Sequence, residues 1–251
     1  MKILKKIGSI LLVAMLLLVA GVVVHEVFFP GEDPLLMRTI FGSDNSRKPF
    51  SNDYDGIDVS HHQGRIDWPV LGANQLVGFV YVKATEGSSH IDSRFHHNVK
   101  GARKAGIPVG AYHFLSSKSS IASQFLNFYH QAKPGMLDLR PVVDVEWQGV
   151  GAWTTRQLCD SLSRFVWLVE QYYGRKPIIY ADAKFYKKHL SGRFSSYPLF
   201  IAHYRRKRPS APGADSLLIW QRSENGHVAG IGKDVDLDVL MPGVTVDDLR
   251  L

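Results

Sequence analysis

Cysteine is almost missing from this chain. Its 251 residues include one, Cys159, so no intrachain disulfide is possible. Cys159 falls in an amphipathic helical stretch and reads as packing rather than as a nucleophilic thiol. There is no Gly-x-Ser-x-Gly nucleophile elbow and no Gly-x-x-x-x-Gly-Lys phosphate loop, which removes the commonest routes to serine hydrolysis and nucleotide chemistry. Neither His-Glu-x-x-His nor His-x-x-x-His occurs. Zinc hydrolysis therefore rests only on His61, His62, His113 and His203, which fall near strand ends, and on the general capacity of imidazole to ligate zinc. Activity that survives a strong chelator would dismiss that rival. No internal repeat or low-complexity segment is present. No basic stripe stands out except Arg205-Arg206-Lys207-Arg208, which reads as a solvated loop.

The formal charge is +7, and removing Lys2, Lys5, Lys6 and Glu26 with the first 26 residues lowers it to +5. A mildly basic domain suits an anionic wall polymer, a membrane surface or nucleic acid, and charge alone does not choose among them. The N-terminus is more specific. Residues 1–6 form a basic flank, and the run Ile7 to Val24 carries no charge over 18 residues. As a helix it spans roughly 27 Å, close to the bilayer core. The flanking lysines keep the N-terminus cytoplasmic, so the remainder is expected outside the cytoplasm, which speaks against nucleic acid as a partner. An uncleaved signal-anchor is the expectation. A cleaved signal peptide, with Val19-Ala20-Gly21 as its site and a secreted product, stays open. Residues 25–53, with Pro30, Pro34 and Pro49, read as a linker.

Residues 54–251 read as one domain. Strands are expected at Gly56–Val59, Val77–Lys83, Pro108–Phe114, Pro141–Glu146, Pro177–Tyr180, Pro198–His203, Ser216–Gln221 and Val235–Val239. Between them lie helical periods: Phe95, Val99, Ala102; then Ile121, Phe125, Phe128, Ala132. The longest helix follows a capping box of Thr154 and Gln157. Its stripe is Leu158, Leu162, Phe165, Val166, Val169 and Tyr172, and Gly174 ends it. Asp182 caps a short helix bearing Phe185 and Leu190. Eight strands with about five interleaved helices predict an α/β (β/α) barrel, irregular where helices become scarce after residue 190. A doubly wound open sheet is the alternative.

The most informative segment is Val142-Val143-Asp144-Val145-Glu146. In a strand, Asp144 and Glu146 share a face with Cα atoms about 6.5 Å apart. Carboxylates that close do not both ionise freely, so one pKa is expected to rise. A protonated carboxylic acid beside an ionised one is what glycosidic cleavage uses. The spacing falls between the retaining and inverting distances and does not decide the stereochemistry. In a barrel, strand C-termini gather the chemistry. Asp58 ends the first strand, and Asp236 and Asp238 lie on the last. If the barrel closes, Asp58 and Asp236 become neighbours.

These segments carry a resemblance. Tyr54-Asp55-Gly56-Ile57-Asp58-Val59-Ser60-His61-His62-Gln63-Gly64, then Ile66-Asp67-Trp68, Phe79 to Gly87, Gly110-Ala111-Tyr112-His113-Phe114, Asp144-Val145-Glu146, Pro177 to Tyr180, Ile219-Trp220-Gln221 and Val235-Asp236-Leu237-Asp238 run in the order seen in family 25 glycoside hydrolases. These are the lysozyme-type N-acetylmuramidases, and the chain resembles them over about residues 54 to 242. The resemblance implies a flattened barrel whose last strand departs from the regular pattern. It implies hydrolysis of the β-1,4 bond between N-acetylmuramic acid and N-acetylglucosamine in peptidoglycan, with no cofactor and no metal. By position it makes Glu146 the general acid and Asp144 the carboxylate that steers the substrate acetamido group, with Asp58 and Asp236 as supporting acids. Asp238 stands where many members have Asn. A negative Asp144 would keep Glu146 protonated near neutral pH. Tyr112, Tyr180 and Trp220 are candidate sugar-stacking residues. Lys83 and Glu86 form either a cleft ion pair or a structural bridge. The expected partners are peptidoglycan strands and, through the N-terminal helix, a lipid bilayer, with the domain itself monomeric. A glycan-binding module without catalysis is the competing function.

Overall fold

Alternating side-chain faces build this domain. The computed structural model describes residues 54–75 and 77–251. Its strands are β1 (Gly56–Val59), β2 (Phe79–Glu86), β3 (His90–Ile91), β4 (Val109–Phe114), β5 (Val142–Asp144), β6 (Ile178–Asp182), β7 (Leu199–Ala202), β8 (Leu217–Gly226) and β9 (Val235–Leu240). Its helices are α1 (Trp68–Ala73), α2 (Phe95–Lys104), α3 (Ile121–Gln131), α4 (Trp147–Val150), α5 (Thr155–Tyr173) and α6 (Ala183–Phe185), the last running on into a π-helical turn, Tyr186–Leu190.

Strands β1, β2, β4, β5, β6, β7 and β8 pair in parallel, each with the next. β9 closes the ring, antiparallel to both β8 and β1. β3 adds a short antiparallel edge to β2 outside the ring. The result is the eight-stranded barrel expected, irregular at its last strand, and the open-sheet alternative falls because β1 pairs on both sides.

The period of two separates two apolar clusters. Phe79 and Tyr81 of β2, Val142 of β5, Ile178 and Tyr180 of β6 and Phe200 of β7 fill the interior. Leu249, from the 3-10 turn Val246–Leu249, joins the same cluster. The alternate residues Val80, Val82, Val143, Val145, Ile179 and Ile201 face outward onto the helices. There they meet Phe95 and Val99 of α2, Phe128 of α3, and Leu162, Phe165 and Val166 of α5. His113, an outward residue of β4, is buried in this layer. Its ring stacks on Phe165 at 4.7 Å, Nδ1 lies 2.7 Å from Thr85 Oγ1, and Nε2 lies 3.2 Å from Gln124 Oε1. Burial lowers its pKa to about 4.

Local signals end the elements where the chemistry demands. The Thr154–Gln157 capping box opens α5, and Gly174 closes it in the left-handed region at φ 72°. Asp182 Oδ1 accepts from Lys184 N and Phe185 N at the start of α6. Cys159 is buried on α5, as expected of a packing thiol. Arg205 to Arg208 lie in an exposed loop.

Three expectations change. The described residues hold six helices rather than about five, because α1 and α4, of six and four residues, are too short to display a helical period. The fourth expected strand stops at Asp144 rather than Glu146, which instead caps α4 with extended backbone. The sheet also gains the unforeseen edge strand β3, outside the ring. The apolar run 7–24 and the linker lie outside the described residues, and among these no helix is long and apolar enough to cross a membrane.

Gly56 shows how tightly the interior is filled. A Cβ there would lie 2.4 Å from Phe79 Cζ. Gly56→Ala is expected to destabilise the fold by about 1–3 kcal/mol through overpacking, read as a lower urea midpoint at unchanged slope.

Candidate active site

β9 brings the first pair of acids together. Its antiparallel register sets Asp236 directly across from Asp58, and Asp238 across from Gly56. β5 brings the second pair. Val143 and Val145 point out to the helices, so Asp144 and Glu146 point the other way. All four carboxylates, Asp58, Asp144, Glu146 and Asp236, line one cavity of about 240 Å³ at the strand C-termini. Tyr112 and Tyr180 line it too. No lysine, arginine or histidine is among its described lining residues.

Three candidate binding residues stand elsewhere. Trp220 is buried on the face of β8 opposite Gln221, and its Nε1 donates to His203 O at 2.8 Å. It does not line the cavity. Strand alternation explains this, since only one of two adjacent residues faces inward. Lys83 and Glu86 also lie outside the lining and form an ion pair with each other at 2.8 Å. The Lys83 ammonium sits 4.9 Å from the Phe114 ring centre. It still acts on the site, because its charge opposes the upward shifts of Asp144 and Glu146.

Asp58, Asp144, Glu146 and Asp236 are each pushed toward the protonated form. Asp58 is raised well above the usual carboxylate range, first by burial, then by Asp236 and Glu146, against a hydrogen bond from Gln221. Asp236 is pushed up to about 6 by burial and by Glu224. It is hydrogen-bonded to Asp58 through their side chains. Asp144 is raised well above its range by burial, Glu146 and Asp58. Its Oδ1 is buried without a hydrogen-bond partner. Glu146 is raised by burial, with the charges of Asp182 and Glu224 adding to it. The two carboxyls act as a pair, each raised first by burial, with Asp144 the more deeply placed of the two.

A residue not singled out in the sequence joins the acids. Gln221 is buried at the inner end of β8. Its Nε2 donates to Asp58 Oδ2 at 2.7 Å. Its Oε1 accepts from Tyr180 Oη at 2.8 Å and from Tyr204 Oη at 2.6 Å. The Tyr180 hydroxyl also acts on Glu146 and opposes its upward shift. Gln221, Tyr204, Glu224 and the interior Tyr81 all line the cavity. The period of two places Gln221 inward, and that signal was available in the sequence.

The histidines are dispersed. His113 is in the outer core, while His61 Nδ1 lies 2.7 Å from Asp92 Oδ2, beside the ring of His62.

A family model described as Glycosyl hydrolases family 25 matches residues 57–231. The chain belongs to this family. Membership makes it a glycoside hydrolase, and the eight-stranded mixed barrel fits the family fold. Uncharacterized protein YegX of Escherichia coli (strain K12) is 36% identical over 208 residues, covering 81% of this chain and 75% of that protein. Lysozyme M1 of Streptomyces globisporus is 32% identical over 193 residues, covering 72% of this chain and 65% of that protein. The crystal structure of the bacterial lysozyme from Streptomyces coelicolor superimposes with a TM-score of 0.71 at 30% identity, covering 79% of this chain and 96% of that one.

The Asp236 shift gives a signed prediction. A carboxyl held near 6 in the fold and at 3.8 outside it binds its proton more tightly when folded. Its favourable contribution is complete below the unfolded value and is lost as pH rises toward 6. Asp236→Asn lacks that loss, so its melting temperature relative to the parent is expected to be higher at pH 7 than at pH 4. An equal difference at both pH values would contradict the shift.

Proposed function

We propose that this family 25 enzyme is a lysozyme that hydrolyses the β-1,4 bond between N-acetylmuramic acid and N-acetylglucosamine in peptidoglycan. The observation that carries the reading is the convergence of Asp144 and Glu146 with Asp58 and Asp236 in one cavity, each raised toward its protonated form. Glu146 acts as general acid and then as base. It is the less buried of the Asp144–Glu146 pair, at the start of α4, where a leaving oxygen has access. Asp144 assists the substrate acetamido group, the substrate-assisted route in which that group attacks the anomeric carbon. Two mutually repelling carboxyls keep one proton between them near neutral pH. Only an ionised Asp144 accepts the acetamido N–H, so a bound substrate draws the shared proton onto Glu146. Asp58 and Asp236 support the cleft, and Tyr112 and Tyr180 offer surfaces to the sugar.

In this reading the substrate is insoluble wall and the chain acts close to a membrane. Residues 7–24 serve as a signal-anchor, or as a signal peptide if cleaved, with the barrel domain outside the cytoplasm. The expected outcome for an anchor is that the full chain stays with membranes through an alkaline carbonate wash. Its release into the wash would favour cleavage or peripheral binding.

Digestion of purified peptidoglycan, with the new reducing ends identified by mass spectrometry, tests the reaction. The parent is expected to release muramic acid ends. Glu146→Gln is expected to lower turnover by about 100-fold or more while folding normally. Glucosamine ends would keep a hydrolase of different bond specificity. Glycan bound without cleavage would move the reading to a binding module.

A further inference from the structure

Asp238 is a buried acid that the proposed reaction leaves unused. It is completely buried, and neither carboxyl oxygen has a hydrogen-bond partner. On β9 it is two residues beyond Asp236 and shares its inward face. The register sets it across from Gly56 on one side and Gln221 on the other. The Phe79 ring packs against Gly56, so apolar surface borders the site there.

The surrounding groups offer Asp238 no counter-charge. Asp58 from β1 and Asp236 from its own strand act on it as like charges. Tyr81 from β2 is fully buried beside it, with an Oη that also lacks a partner. Arg140, before β5, acts on Tyr81 and is not among the groups acting on Asp238. Asp55 meets Asp238 through backbone, its N donating to Asp238 O at 2.6 Å, while its Oδ2 accepts from Leu240 N. An ionised carboxylate held there would be desolvated, unpaired and repelled by two neighbours, whereas a neutral acid escapes the repulsion and most of the desolvation cost.

We infer that Asp238 is a positioning residue, held as a neutral carboxylic acid beneath Asp58 and Asp236. It fills the base of the cleft with a polar group that adds no third negative charge. The pair above it is thereby free to share one proton and to hold Gln221 in place. The inference rests on reading the Asp58–Asp236 pair as part of the working cleft. Burial and the two like charges raise the Asp238 carboxyl well above its usual range, in keeping with the geometry.

The test compares the full chain with Asp238→Asn and Asp238→Ala. Infrared difference spectra at neutral pH are expected to show a protonated-carboxyl band in the parent that Asp238→Asn lacks. On purified peptidoglycan, Asp238→Asn, a neutral isostere, is expected to keep kcat within about threefold, while Asp238→Ala loses about tenfold or more in kcat at nearly unchanged KM. Rescue by Asn with loss in Ala is what positioning requires and what simple filling of space does not. The inference is overturned if the band is absent, if Asn is as damaging as Ala, or if Ala keeps full turnover. Should Asp238→Ala fail to fold, the infrared band and the Asn variant still decide. Should the parent itself release no glycan ends, the lysozyme reading falls, and the infrared band alone upholds or overturns the neutral state of Asp238.

Discussion

The backbone pairing of β9 with both β1 and β8 is the constraint on which the rest of this molecule depends. Seven parallel strands would leave β1 and β8 with unpaired edges. One antiparallel strand satisfies both edges and fixes which side chains face each other across the seam. Asp236 meets Asp58 because the register is fixed by hydrogen bonds. A slip of one residue would turn Asp236 and Asp238 outward and put Val235 and Leu237 in the cleft.

Closure also creates the electrostatics. An apolar interior of Phe79, Val142, Ile178 and Phe200 lies under the acids, and desolvation is the first cause of each upward shift. The fold therefore keeps protons in a cleft that has no cation among its described lining residues to balance them. Gln221 makes this tolerable. One amide satisfies Asp58 and two tyrosine hydroxyls at once, and it does so without adding charge.

The sequence carried much of this in physical form. Alternation in Val142 to Glu146 placed both acids on one face, and barrel closure made Asp58 and Asp236 neighbours. The same alternation argues against Trp220 as a stacking residue once Gln221 is taken as inward. A large aromatic beside a strand end drew more weight than a neutral amide, which announces no titration. Tyr204 and Glu224 were hidden for a different reason. They reach the cavity from the end of one strand and the irregular outer part of another, where register shifts interrupt the period. The short helices α1 and α4 were illegible because one or two turns hold no repeat to recognise.

His113 has a consequence for where such an enzyme keeps its shape. Its imidazole is packed neutral between Phe165, Thr85 and Gln124, with a pKa lowered to about 4 from 6.5. The stability it lends is whole above 6.5 and drains away as acidity increases toward 4. The carboxyls of the cleft draw stability in the opposite sense, losing it as the solution becomes less acid. One side of the sheet is thus weakened by acid and the other by alkali over overlapping ranges, so the two layers offset each other's dependence on acidity.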